Sequence, residues 1–143
     1  MIRENSYKNE SPLRIKSYHL ALRIVKLYQY LTIEKKEYIL SKQLLRSGTN
    51  PGAMVRESVN AESTLDFIHK LSIAAKETGE TEYWLELLYD AGYLNETEFQ
   101  SIIKDTVEVG KLLTSSIRTK KKNMAVKALS TVILISTIMY LFQ

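Results

Sequence analysis

The chain has 143 residues, of which 45% are apolar and 25% charged, with five Gly and two Pro, a composition typical of one globular domain with a substantial core. The absence of Cys excludes disulfides, thiol nucleophiles and zinc–thiolate sites. The charged N-terminus has no apolar run behind it, so no secretory signal is expected and the cytoplasm is the expected location.

The net charge of +4 hides a strong segregation of charge along the chain. Residues 1–59 carry 11 basic and 5 acidic side chains. Residues 60–110 carry 3 basic and 11 acidic side chains, and residues 111–143 carry 6 basic and no acidic side chains. This asymmetry indicates either an anionic partner for the basic segments or basic and acidic helices that face each other within one bundle or between subunits. The sequence alone leaves both interpretations open.

The first helix is predicted from Leu13 to Leu31, where apolar residues recur at helical spacing. Its apolar arc is wider than the face that a helix of a single four-helix bundle needs, which indicates contacts with further copies of the chain. The narrow polar stripe that is left contains Lys16, His19, Arg23, Lys26 and Tyr30.

A second helix is predicted to begin near Thr32, which can cap it, and to reach the stretch "GTNPG" at residues 48–52. Pro51 has no amide hydrogen and its ring clashes with the carbonyl four residues earlier, so the helix is expected to kink or break near Asn50. Gly48 and Gly52 lie one turn apart and leave a notch without side chains. We expect the third helix or another subunit to fill this notch.

The third helix has a start signal at Ser63, whose hydroxyl can accept from the amide of Asp66. It is predicted to run past Trp84 and to stop at Gly92, which suits the left-handed cap position. Gly79 inside it lowers the helix propensity, so a local irregularity is allowed there.

The fourth helix is predicted to start with a capping box of Asn95 and Glu98 and to fray at residues 118–122, where cations suit a helix C-terminus. Short connections make consecutive helices antiparallel neighbours. The predicted fold is therefore all-α, an antiparallel up-down-up-down four-helix bundle. It consists of an N-terminal arm (1–12), the bundle (13–122) and an apolar C-terminal extension (123–143).

Three runs of sequence carry a family resemblance: "SGTNPGAMVRES", "DFIHKLSIAAKETGETEYWLELL" and "AGYLNETEF". In this order they resemble the four-helix-bundle family encoded in intervening sequences of bacterial 23S ribosomal RNA genes, over roughly residues 14–120. The resemblance implies a small bacterial homo-oligomer, usually a pentamer, without known enzymatic activity. Relatives of this fold include the accessory variability protein of diversity-generating retroelements, a basic pentamer that binds nucleic acid and a reverse transcriptase.

Two positions depart from the family's pattern. Relatives commonly have a β-branched apolar residue and then Asn in a motif like "SGTSIGANIREA", where this chain has Pro51 and Met54, and a Met thioether cannot reproduce the hydrogen bonds of an Asn side chain. Four residues match the pattern and are carried over as packing or oligomer contacts, not as catalytic groups: Arg46, Gly48, Gly52 and Glu57.

The residue inventory favours a protein that is not an enzyme and needs no cofactor or metal. A di-iron bundle requires Glu-x-x-His on two helices, and only the run from Asp66 to His69 approximates that motif. No nucleophile and base accompany the Glu residues, and the glycines of "SGTNPG" do not match a nucleotide fingerprint. His69 is expected to be packed or interfacial rather than a ligand.

Nucleic-acid binding is the principal functional hypothesis. The stripe of Lys16, His19, Arg23, Lys26 and Tyr30 can contact phosphates and stack on an unpaired base, and its repetition around a ring would add avidity. The expected partners are other copies of the chain, as a pentamer, and RNA, DNA or a reverse transcriptase. A solvated helix face is the alternative.

The C-terminus supports a rival hypothesis, association with a membrane. Residues 128–142 are uncharged and mostly apolar, and they follow lysines at 120–122 and 127. Such a run gives about 22 Å of helix against a hydrocarbon core of about 30 Å, which is short for a span, although basic flanks suit an anchor. The alternatives are a fifth helix packed on the bundle or in the centre of an oligomer, and an extension that is poorly ordered or prone to aggregate.

Overall fold

Four α-helices make up the computed structural model, which describes residues 11–142. They are α1 (Pro12–Ile33), α2 (Leu40–Ser58), α3 (Thr64–Asp90) and α4 (Glu96–Leu141). Each helix packs on two others: α1 and α3 each contact both α2 and α4. The predicted four-helix bundle with an apolar C-terminal extension is confirmed, and the described residues contain no strand. The predicted arm lies mostly outside the described residues, and Pro12 already belongs to α1.

The core is built from the apolar stripes of all four helices, with Leu20, Ile24, Leu44, Leu85 and Leu113 at 1% exposure or less. One polar contact crosses this core. The hydroxyl of Thr81 on α3 donates to Glu77 O at 2.8 Å and lies 3.1 Å from Ser47 Oγ on α2. Both buried hydroxyls are thereby satisfied, which removes the cost of leaving them unpaired.

The start of α2 differs from the prediction. Thr32 does not cap α2, because its hydroxyl donates back to Tyr28 O at 2.9 Å and α1 continues to Ile33. Glu37 caps α2 instead, and its carboxylate accepts from the amides of Ile39, Leu40 and Ser41 at 2.7–3.0 Å. Burial raises the pKa of Glu37, but these amide hydrogen bonds outweigh it and leave the pKa below its ordinary value.

The glycine notch on α2 is filled by α1, and not by the third helix or by another subunit as predicted. A Cβ on Gly48 would lie 2.7 Å from Ile24 Cγ1 and 2.8 Å from Cγ2, and a Cβ on Gly52 would lie 3.2 Å from the carbonyl oxygen of Ser17. Residue numbers fall along α2 as they rise along α1, so the two helices are antiparallel. The two glycines therefore let the α1 and α2 backbones approach closely.

Pro51 does not break α2, which is continuous from Leu40 to Ser58. Of the predicted kink or break, the break does not occur, because the packing of α2 on both α1 and α3 outweighs the loss of one amide hydrogen bond, about 3 kcal/mol. Pro51 itself is buried. The hydroxyl of Thr49 adds a bond to Leu45 O at 2.7 Å beside it.

The ends of α3 agree with the prediction. The amide of Asp66 donates to Ser63 Oγ at 3.0 Å, and Gly92 follows the helix with a φ of +81°. Gly79 causes no irregularity, since α3 is continuous from Thr64 to Asp90.

The start of α4 is also as predicted, but its C-terminal end is not. Asn95 and Glu98 form the full capping box. The amide of Glu98 donates to Asn95 Oδ1 at 2.9 Å, and the amide of Asn95 donates to Glu98 Oε2 at 2.8 Å. The predicted fraying at residues 118–122 is wrong, because α4 runs without interruption through them to Leu141. The predicted boundary at residue 122 thus lies inside a helix of 46 residues.

We expect Gly48→Ala to lower the free energy of unfolding by about 1–3 kcal/mol, because the new methyl group collides with a fully buried isoleucine. The measurement is urea denaturation. Gly79→Ala is the matched control, since a Cβ there meets no atom within 4 Å, and it should be neutral or stabilising by up to about 1 kcal/mol. Equal stability of the two variants would show that α1 does not occupy the notch.

Candidate functional site

Two of the five residues predicted on the polar stripe of α1 are engaged by α4. The guanidinium of Arg23 donates to the carboxylate of Asp105, and it also reaches the carbonyl oxygen of Ser101 at 2.9 Å and the Ser101 hydroxyl at 2.7 Å. Lys16 Nζ lies 2.9 Å from Glu108 Oε1. The basic stripe of α1 therefore faces acidic residues of α4 within the same chain, as the second interpretation of the charge pattern anticipated.

Lys26 and Tyr30 of the stripe, together with Arg23, border an open groove between α1 and α4. The groove has a volume of about 450 Å³, and Arg23, Lys26 and Tyr30 line it from the α1 side while Glu98 and Ser101 line it from α4. Lys26 is exposed and Tyr30 is half-buried. Lys35 Nζ lies 5.8 Å from the centroid of the Tyr30 ring, so a second cation stands beside this aromatic residue.

His19, on the same stripe, is half-buried. Sequence reasoning assigned this histidine to the stripe but missed Ser101 and Asp105 as partners of Arg23. The acidic composition of residues 60–110 was a signal for such pairing, but it did not say which acids would lie opposite which cations.

The four residues carried over from the family resemblance do not converge on one site. Gly48 and Gly52 face α1 inside the chain, whereas Arg46 and Glu57 are exposed on α2. Among residues 11–142, no group of three or more His, Asp or Glu side chains is placed to hold a metal ion. His69 is exposed on α3, not packed within the chain.

The most unusual surface is the end of α4, which we call the tail helix (residues 121–142). Every one of its residues is exposed. An 18-residue window of α4 has a mean hydropathy of 1.8 and is 0% buried. By length and composition this segment can cross a membrane. It does not pack on the bundle of its own chain, which was one of the alternatives that the sequence left open.

Most of the exposed surface of the tail helix is apolar, and the segment is uncharged over residues 128–142. In the described part of the chain, 12 of the 18 large hydrophobic side chains that are exposed belong to it. They are Met124, Val126, Leu129, Val132, Ile133, Leu134, Ile135, Ile138, Met139, Tyr140, Leu141 and Phe142. A mostly apolar helix is usually found in the core of a protein or in a membrane, and no other helix of the described chain covers this one.

The tail helix leaves the bundle beside the N-terminal turn of α3. Lys120 Nζ lies 4.9 Å from the centroid of the Phe67 ring. Beyond this contact the tail helix continues for 22 residues, or about 33 Å. Cations at Arg118 and at 120–122 surround the exit point.

Comparison with known proteins assigns the bundle but not the tail helix. A family model described as "23S rRNA-intervening sequence protein" matches residues 11–115. A crystal structure of a protein of unknown function from the S23 ribosomal protein family of Bacteroides thetaiotaomicron is 51% identical, with a TM-score of 0.73. That match covers 95% of the Bacteroides chain but 74% of this one. No curated protein matches the chain.

We expect a double-mutant cycle between Arg23→Gln and Asp105→Asn to give a coupling energy of about 0.5–1 kcal/mol at low salt. The value is modest because the two side chains are 39% and 38% exposed, and it should shrink as salt is added. Denaturant unfolding of the four variants measures it. Additive effects at low salt would mean that the pair does not hold α1 against α4.

Proposed function

The chain belongs to the family of 23S rRNA-intervening sequence proteins, and on that premise we propose that it is a non-enzymatic helical-bundle scaffold that its C-terminal helix tethers to a membrane. The observation that carries the proposal is the tail helix, which is mostly apolar, continuous with the bundle and wholly exposed. The family match ends at residue 115, so the tail helix is an addition to the family's bundle.

The energetics favour a hydrophobic environment for this segment. Burial of a large apolar side chain contributes roughly 1.5–3 kcal/mol, and the tail helix exposes 12 of them. Soluble proteins seldom expose contiguous apolar patches of this extent unless they mark an interaction site. Transfer of the tail helix into hydrocarbon removes this surface from water, and its backbone hydrogen bonds are already made within the helix, as a bilayer requires.

The length of the segment fits a bilayer when it is counted from Met124. The uncharged run alone gives about 22 Å of helix, whereas residues 124–142 give about 28 Å, close to the hydrocarbon thickness of about 30 Å. This count includes Lys127, whose long aliphatic stem can carry its ammonium group to the headgroups one or two turns away.

The distribution of charge sets the orientation of the proposed anchor. Arg118 and the lysines at 120–122 lie on the bundle side of the apolar segment. Positive charges beside a membrane-spanning helix favour the cytoplasmic side. This charge pattern supports an orientation of the proposed anchor in which the bundle lies in the cytoplasm.

We expect the full-length chain to float with phospholipid vesicles in a density gradient, and the chain truncated after Lys122 to stay in the soluble fractions. A second variant combines Val132→Asp and Ile135→Asp and keeps the full chain length. It should also stay in the soluble fractions, because each acid at the centre of a span raises the free energy of insertion by about 2.5–3.5 kcal/mol. Circular dichroism checks that both variants keep the helical bundle. Full-length protein that remains soluble in the presence of vesicles would refute the anchor.

Nucleic-acid binding is a second candidate, and the groove between α1 and α4 supports it. Lys26 is exposed there beside Tyr30, and Lys35 stands over the same ring, an arrangement of cations and an aromatic face that suits a single strand of RNA or DNA. Lys16 and Arg23 are less available for phosphates because α4 supplies them with carboxylates. A nucleoprotein such as a reverse transcriptase complex would present the same phosphate chemistry.

We expect the double variant Lys26→Glu and Lys35→Glu to weaken binding of single-stranded RNA in a gel-shift titration. The slope of log K against log salt should fall in magnitude by about 1.4, because each of the two lost phosphate contacts contributes about 0.7. Lys76→Glu with Lys111→Glu is the matched control, because it changes the net charge equally and both lysines are exposed away from the groove. An equal loss in both variants would assign the binding to net charge rather than to the groove.

Assembly of several copies is a further part of the proposal. On α1 the row of Ile15, Tyr18, Leu22 and Val25 is only half-buried by the chain's own helices, which leaves apolar surface for another copy to cover. The pentamer stays a prediction.

A further inference from the structure

The end of the bundle from which the tail helix leaves carries exposed apolar side chains of its own. Val59, which directly follows α2, is 65% exposed, and Leu65, in the first turn of α3, is 64% exposed, so both lie where α2 leads into α3. This connection lies at the exit of α4, because Lys120 of α4 packs on Phe67, which is in the second turn of α3. We call this connection, residues 59–65, the exit corner.

Cations predominate around the exit corner. Arg118 and the lysines at 120–122 lie near it on α4. Arg56, near the end of α2, adds another cation, and its guanidinium lies 5.2 Å from the centroid of the Tyr18 ring on α1. The acidic residues at this end are fewer. Glu57 and Glu62 are exposed, whereas Asp66 is paired with Lys70 at 3.0 Å.

The rigid connection between bundle and tail helix limits how far the exit corner can lie from a bilayer. From Lys120 to Met124, where the proposed span begins, the continuous helix rises about 6 Å. The headgroup layer on each side of a bilayer is about 5–8 Å thick. The exit corner projects from Phe67 toward the tail helix by a further turn or so of α3, about 5 Å. With Met124 at the edge of the hydrocarbon, the corner therefore reaches the headgroups, and a tilt of the tail helix brings one side of the bundle closer still.

We propose that the exit corner is a second membrane contact, in which Val59 and Leu65 insert among the headgroups of an anionic bilayer while Arg56, Arg118 and the lysines at 120–122 pair with acidic lipids. This inference rests on the proposed function, since the tail helix delivers the corner to the surface. Apolar side chains flanked by cations are the usual composition of protein surfaces that lie in the membrane interface. Each Lys or Arg near an anionic leaflet adds to the attraction.

The test uses the full chain, which contains no Cys, so that a single cysteine can carry an environment-sensitive fluorophore. Leu65→Cys places the probe on the exit corner. Ile39→Cys is the matched control, because Ile39 is 75% exposed and lies at the opposite end of the bundle, where α1 joins α2. Each labelled protein is mixed with vesicles of phosphatidylcholine and phosphatidylserine, and flotation of the labelled protein is recorded in parallel.

On these vesicles the Leu65 probe should shift its emission to shorter wavelength and be quenched by a lipid spin-labelled at the headgroup, while the Ile39 probe should do neither. The shift at Leu65 should diminish on vesicles of phosphatidylcholine alone. Protein that floats but shows the same emission at both positions would overturn this inference and leave the anchor standing. An equal shift on both kinds of vesicle would overturn the assignment to anionic lipid. Protein that does not float would overturn the anchor and the corner contact together.

Two double variants check the apolar side chains directly. The corner variant combines Val59→Asp and Leu65→Asp, and the control variant combines Ile33→Asp and Ile39→Asp at the opposite end of the bundle. We expect the corner variant to lose at least about tenfold in affinity for the mixed vesicles, and the control pair to bind as the parent chain does. Equal affinity of the two double variants would contradict an inserted corner.

Discussion

The helices of this bundle differ in length, and the excess length of α4 governs the rest of the structure. At 46 residues α4 is about 69 Å long, whereas the 27 residues of α3, the longest helix beside it, span about 40 Å. Backbone hydrogen bonds carry a helix past the point where its packing partners end. The bundle can therefore cover only the first half of α4, and the second half, which the chain leaves exposed, is the segment that we propose to lie in a membrane.

Within the bundle, two different interactions hold α1. Against α2 the contact is close packing, because Gly48 and Gly52 admit Ile24 and the backbone at Ser17. Against α4 the contact is looser and polar: Arg23 is held by Ser101 and Asp105, and an open groove lies beside it. This asymmetry explains why the charge segregation along the sequence does not translate directly into a basic surface. Part of the basic charge of α1 is neutralised by the acidic stretch of α4, and the cations that stay exposed gather beside the groove and around the exit of the tail helix.

Local chemistry predicted those features that depend on neighbours in the sequence. The caps at Ser63 and Asn95 were predictable because a side chain there bonds an amide three residues later, and Gly92 was predictable from its backbone conformation. The start of α2 was missed because Glu37 caps it from the preceding loop, whereas Thr32 bonds back into α1. The occupant of the glycine notch was also missed, since hydrophobic periodicity indicates a buried face but not which helix covers it. The run of lysines at 120–122 suggested a helix end, yet the apolar residues beyond it prolong the same helix.

The central claim is that α4 leaves the bundle as one unbroken rod, and a single distance tests it most directly. Spin labels at Lys104→Cys, exposed on the bundle part of α4, and at Tyr140→Cys, near the end of the tail helix, are separated by 36 residues of helix. Pulsed electron paramagnetic resonance on the membrane-reconstituted protein should give a distance of about 54 Å. A distance of roughly half that value, as expected for a tail that folds back on the bundle, would contradict the account.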